Sequence, residues 1–148
     1  MSDQSLFFDG LKNQPVNDYF VEKDGLRFAG FHLLVEFWGA ENLNDVSLIE
    51  EALCHAAELA GATVLSIHAH RFSPSGVTGV AILEESHISI HTWPEHGFAA
   101  IDIFMCGNCQ PYAAIGPLKE AFVPDKVMLS EHKRGMLLGT GTSQHPFS

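Results

Sequence analysis

The apolar positions along this chain change period several times, and each change marks an element. Residues 31–38 (FHLLVEFW) are dense in aliphatic and aromatic side chains and stop at Gly39, which predicts a strand. From Val46 the spacing turns helical: Val46, Ile49, Leu53, Ala56 and Ala57 share one face. Asn44 or Asp45 stands where a cap is needed, and Gly61 where a helix ends. Residues 62–70, 77–83, 87–92 and 98–105 read as four further strands. Turn chemistry separates two pairs of them, Ser73-Pro74-Ser75-Gly76 and Pro94-Glu95-His96-Gly97. A shorter helix is expected over 112–122, kinked or restarted at Gly116-Pro117, and residues 126–132 form a last strand. Residues 1–27 read as a polar lead-in arm, and the Gly-, Thr- and Ser-rich tail 139–148 as a segment that frays.

The order is therefore β-α-β-β-β-β-α-β. Each half needs a helix over its sheet, which predicts an α/β (α+β) fold: a two-layer α-β sandwich, its mainly antiparallel sheet covered by two helices. The Glu85–Ser86 bond falls in the connection between the halves.

Composition narrows the function. The 148 residues suit one domain, and 46% hydrophobic with 18% charged residues is the balance of a folded soluble chain. No apolar run approaches the ~20 residues of a membrane span. The N-terminal residues lack the basic start and apolar core of a secretory signal, so a cytoplasmic protein is expected. Cys54, Cys106 and Cys109 are too few and too unevenly placed for a disulfide framework and are read as free thiols. A formal net charge of −10 argues against nucleic acid or anionic membranes as partners and favours a cationic small substrate.

The chemistry concentrates in residues 85–95, ESHISIHTWPE. On a strand His87, Ser89 and His91 share one face, while Ile88 and Ile90 share the other. Imidazoles and a hydroxyl are costly to bury without partners, so the polar face is either solvated or functional. A zinc site built from His87, His91, His96 and Cys106 is one reading, although no zinc-ligand spacing fixes the third and fourth ligands. Cys106-Gly107-Asn108-Cys109 has CxxC form, but Pro111 follows where a redox motif should open a helix. Cys109 is then a loop thiol, and Cys54 a core residue. Ser86 with His91 evokes a hydrolase, yet ESH is not the G-x-S-x-G elbow of that chemistry.

Residues 31–135 resemble the bacterial and archaeal S-adenosylmethionine decarboxylases, self-processing pyruvoyl enzymes. The resemblance runs through HLLVEFWG, NDVSLIEEAL, GATVLSIHAHRFSPSGVTGVAIL, ESHISIHTWPEHGFAAIDIFMCG and EHKRG. It implies one decarboxylase domain over 1–148 that cuts itself between Glu85 and Ser86. Ser86 would attack the Glu85 carbonyl, and His91 would assist elimination from the resulting ester. The new chain would begin with a pyruvoyl group, with Thr78 aiding the rearrangement. That carbonyl would form a Schiff base with the substrate amine and accept electrons as a PLP ring would, so no PLP is required. Cys106 matches the proton donor of decarboxylation; a thiol with a reference pKa of ~8.5 keeps its proton near neutrality. Phe72 and Trp93 match aromatic positions suited to adenine, and Glu95 a carboxylate suited to ribose hydroxyls. The resemblance further implies S-adenosylmethionine as substrate, a role in spermidine synthesis, and a homodimer of processed protomers with sites near its interface. Two alternatives stay open: a pyruvoyl decarboxylase of ornithine or arginine, and a relative that never cuts itself and binds metal.

Overall fold

The computed structural model describes residues 19–137. The expected tail lies outside them, as does most of the expected lead-in arm. Within residues 19–137 eight strands and two α-helices follow in order: β1 (Val21–Lys23), β2 (Leu26–Phe28), β3 (Gly30–Trp38), α1 (Val46–Leu59), β4 (Val64–Arg71), β5 (Val77–Leu83), β6 (Ser86–Trp93), β7 (Phe98–Cys106), α2 (Ile115–Phe122) and β8 (Lys126–Arg134). From β3 onward this is the expected order. Residues 21–28 depart from it, because they form a hairpin and not a loose arm. Asp24 and Gly25 both take positive φ, 54° and 76°, at the two-residue turn where such dipeptides close hairpins.

β3 to β8 form one antiparallel sheet in the order β4-β5-β6-β7-β3-β8. The first strand of the sequence pattern thus sits between β7 and β8, and α1 carries the chain across to the far edge. Strand alternation sorts the side chains. Leu33, Val35, Phe37, Ala81, Ile88, Ile90, Ile101 and Ile103 point to one side, where they pack with Ile49, Leu53 and Ala56 of α1 and Leu118 and Phe122 of α2. Burying a side chain of this size contributes about 1.5–3 kcal/mol, and this layer supplies most of the core.

Asp45 is the cap of α1, its carboxylate accepting from the Leu48 N–H at 3.1 Å. Gly61, at φ 78°, turns the chain after it. In α2, Pro117 falls in the first turn, where its missing N–H has no intrahelical partner to lose. A 3-10 turn over Pro111–Ala114 precedes α2 and accounts for the irregularity expected there. Cys54 is only half-buried and donates to Glu58 at 3.4 Å, so it is a flank residue of α1 and not core.

Among the described residues, no helix covers the other sheet face. It presents His32, Leu34, Trp38, Thr78, Ile82, His87, Ser89, His91, Trp93, Asp102, Cys106 and Arg134. Leu34, Trp38, Ile82 and Trp93 are each about two-fifths exposed there, at 41%, 38%, 42% and 40%.

Two glycine substitutions test the packing. A Cβ at Gly30 would strike the Met105 carbonyl of β7, while one at Gly116 in α2 would meet nothing. Urea denaturation should show Gly30→Ala destabilised by about 1–3 kcal/mol. Gly116→Ala should be stabilised by about 0.4–1 kcal/mol.

Candidate active site

β5 and β6 are joined by a two-residue turn, Glu84-Glu85, so that Leu83 pairs with Ser86 across the ladder. β6 starts at Ser86, one residue earlier than the apolar pattern indicates. This brings the Glu85–Ser86 peptide to the end of β7. There the Glu85 carbonyl accepts two hydrogen bonds from one residue, the Cys106 backbone N–H at 3.0 Å and the Cys106 thiol at 3.0 Å. Two donors on one carbonyl oxygen polarise it and are placed to hold negative charge if that carbon is attacked. The thiol keeps its proton for this, since burial raises its pKa more than a backbone hydrogen bond lowers it, and the Glu85 charge adds a smaller rise.

The Glu85 side chain reaches the other way and accepts from the Thr63 N–H at 2.9 Å and 3.3 Å. Its residue is thereby held from both ends. Ser86 carries φ 142°, a backbone conformation that a residue with a Cβ rarely adopts, and its hydroxyl lies 3.3 Å from His87 Nδ1. The Thr63 contact and the His87 contact were invisible in the sequence. The first needs the β4–β5 register, and the second needs that unusual φ.

A second cluster forms at the other end of the open face. Thr78 and His91 are directly paired across β5 and β6, with Thr78 Oγ1 3.1 Å from His91 Nδ1. Trp93, Phe98 and Trp38 stack in a row across β6, β7 and β3, with ring centroids 5.2 Å and 4.4 Å apart. Glu95, in the 3-10 turn Pro94–His96, accepts from the Ser75 hydroxyl at 3.2 Å. Phe72, half exposed at the end of β4, meets the His70 ring edge-on at 4.7 Å.

Between the two clusters lies a polar bridge. His32 Nε2 donates to Asp102 at 2.9 Å, Ser89 donates to the same carboxylate at 3.3 Å, and Arg134 reaches His32 Nδ1 at 3.4 Å.

The structure therefore gathers Glu85, Ser86 and Cys106 at one end, and Thr78, His91, Trp93, Glu95 and Phe72 at the other. It does not bring Ser86 and His91 together within one chain. Five residues of extended strand separate them by about 16 Å. Among the described residues no three His, Cys, Asp or Glu side chains gather as a metal cage. Cys109 is half-buried, with its pKa pushed up to about 11, mainly by burial. A cavity of about 950 Å³ is lined by residues 40–47 with Arg71 and Pro94 and contains none of these groups. A smaller cleft of about 240 Å³, lined by Tyr19, Phe20, Gly61, Glu85, Gly107, Asn108 and Cys109, adjoins the Glu85 peptide.

The two-layer sandwich thus presents a polarised peptide at a hairpin turn, with a serine just after it and a protonated thiol against it. Residues 31–135 match the family model described as S-adenosylmethionine decarboxylase. The chain is 47% identical over 115 residues to the S-adenosylmethionine decarboxylase proenzyme of Methanococcus maripaludis strain C7, covering 76% of this chain and 94% of that one. It is 42% identical over 115 residues to the proenzyme of the same name from Thermomicrobium roseum, covering 76% and 99%. The crystal structure of the adenosylmethionine decarboxylase from Aquifex aeolicus superposes with a TM-score of 0.69 at 36% identity, covering 79% of this chain and 98% of that one. The chain belongs to the S-adenosylmethionine decarboxylase family.

The Thr78–His91 pair gives a direct test. Thr78→Ser keeps the hydroxyl and should leave conversion of the precursor within a few-fold of the wild-type rate. Thr78→Val keeps the shape and loses the hydroxyl, and should slow conversion by about 10²-fold or more. Denaturing electrophoresis over time reads both.

Proposed function

We propose that this chain is a cytoplasmic proenzyme that cuts itself between Glu85 and Ser86, converts Ser86 to a pyruvoyl group, and decarboxylates S-adenosylmethionine. The observation that carries the reading is the Glu85 carbonyl held by both donors of Cys106, immediately before a serine hydroxyl. Attack by Ser86 Oγ on that carbon exchanges the amide for an ester, and Cys106 carries the oxyanion that forms on the way. Loss of the Ser86 α-proton then expels Glu85 as a carboxylate, and hydrolysis of the new N-terminal enamine releases ammonia. A pyruvoyl group fits the residues present, because its carbons are those of Ser86 and its neighbour is a thiol that stays protonated. When formed, it supplies the carbonyl that takes up the electrons set free with CO₂.

Cys106 then returns a proton to the substrate carbon that has lost CO₂. The acidic chain, −10 overall, favours the sulfonium substrate, and Trp93 offers an aromatic face of the kind that attracts adenine or that cation. The carboxylate of Glu95 suits the ribose hydroxyls, and Phe72, half exposed just after β4, suits the base. No described helix is long and apolar enough to cross a membrane.

His91 lies at the wrong end of the sheet to serve Ser86 of its own chain. A second copy, packed through its open face about a two-fold axis, resolves this. It would set the Thr78–His91 end of each protomer against the Ser86–Cys106 end of its partner. The exposed Leu34, Trp38, Ile82 and Trp93 are the apolar surface such a homodimer would bury.

Intact-mass measurement of the purified protein should give two fragments split after Glu85, the second with a pyruvoyl terminus, whereas Ser86→Ala should remain one chain. CO₂ release should be found with S-adenosylmethionine and not with ornithine or arginine. Release from either amino acid alone would reassign the substrate.

Shared sites predict complementation. His91→Ala chains alone should stay uncut, but should be cut when co-expressed with Ser86→Ala chains, which contribute an intact His91. Failure of that rescue would count against the composite site.

A further inference from the structure

We propose that His87 is the base of the first processing step, taking the proton from Ser86 Oγ as that oxygen attacks the Glu85 carbonyl and returning it to the Ser86 nitrogen. This step rests on the self-cleavage reading above and assigns it a group that the reading leaves unused. Neighbouring residues of a regular strand point to opposite faces. Ser86 escapes that rule through its φ of 142°, and its hydroxyl comes to 3.3 Å from Nδ1 of the very next ring. Among the described residues no other imidazole is hydrogen-bonded to that hydroxyl, and His91 is engaged with Thr78. The base is therefore in place before any second chain arrives.

The surroundings of His87 suit a base. Its ring stands edge-on to His32, 6.3 Å away, and to Phe104, 6.0 Å away, with the Arg134 guanidinium over the far ring at 5.3 Å. From β5 it faces Ile82, an apolar partner. Burial is the largest influence, and with the charges of His32 and Arg134 it lowers the His87 pKa, Asp102 opposing. The ring is thus neutral at neutral pH and has a lone pair to offer.

The step balances without any co-reactant. With its own proton on Nε2, His87 accepts the hydroxyl proton at Nδ1 while the Oγ–C bond forms. The carbonyl oxygen takes the electron pair and is held by the Cys106 N–H and thiol. As the oxygen's pair falls back, the C–N bond breaks, and Nδ1 hands the proton to the leaving nitrogen. The product is an ester between Glu85 and Ser86, with a free amine on Ser86. The imidazoles then divide the work: His87 makes the ester within its own chain, and the partner's His91 assists its elimination.

The test is a mass time course on freshly made full-length chains, with and without hydroxylamine, which cleaves esters and leaves amides intact. His87→Asn should remain uncut and hydroxylamine-resistant, its conversion slowed about 10²- to 10⁴-fold. Added imidazole should restore part of the rate in His87→Ala. His91→Ala, stalled one step later, should accumulate hydroxylamine-sensitive chain. In the unsubstituted protein, conversion should be fastest near neutrality and fall as pH drops through the lowered His87 pKa, beneath the ordinary ~6.5. Three results would overturn the assignment: His87→Asn converting at the wild-type rate, His87→Asn accumulating the ester, or a wild-type rate flat down to about pH 4. A wild-type chain that never cuts is a different result, and it removes the self-cleavage reading together with this step.

Discussion

One carbonyl organises this molecule. The Glu85 oxygen sits against the Cys106 N–H and thiol because β6 and β7 keep register over the whole length from Ser86–Met105 to Trp93–Phe98. A slip by one residue would turn every side chain of β6 to the other face and take the thiol off its target. The isoleucines that lock that register, Ile88 and Ile90 against Ile101 and Ile103, are fully buried or nearly so. The core and the chemistry therefore use the same strands through alternate residues. The side under the helices sets the position, and the open side uses it.

That division explains how reactive groups are distributed. Charged and hydroxyl groups on the open face are partnered laterally, His32 with Asp102 and Ser89, and Thr78 with His91, so each is oriented before substrate arrives. The apolar residues among them, Leu34, Trp38, Ile82 and Trp93, stay exposed within the single chain. A face that is polar in ordered networks and apolar in exposed patches suits the proposed homodimer, which would bury it.

Much of the fold was legible because its elements obey simple periods. The helix α1 announced itself by Ile49, Leu53, Ala56 and Ala57 and by Asp45 at its cap, and each strand by its alternation. The β1–β2 hairpin carried an Asp-Gly signal, but strands of three residues are too short for a period to register. The placement of β3 between β7 and β8 is a long-range pairing that no local pattern encodes. For the site, the motif gathered Ser86, His91 and Cys106 by proximity in sequence. Strand geometry then separates Ser86 from His91, a distance that five residues of extended chain already contained. The Ser86–His87 contact was out of reach, because it depends on a dihedral angle that ordinary strand residues avoid.

The Glu85 carboxylate on the Thr63 N–H bears on what the proposed cleavage would leave behind. That cut would fall at a hairpin turn whose two arms pair from Leu83–Ser86 to Thr78–His91, with Glu85 fastened on the far side. A cut protein would thus inherit an arrangement assembled when β5 and β6 were one chain and their meeting was a short loop closure. Once unfolded, the two pieces would have to find each other by diffusion. A precursor that folds as one molecule would persist as two, and the durability of the cut form would be a matter of how slowly it comes apart.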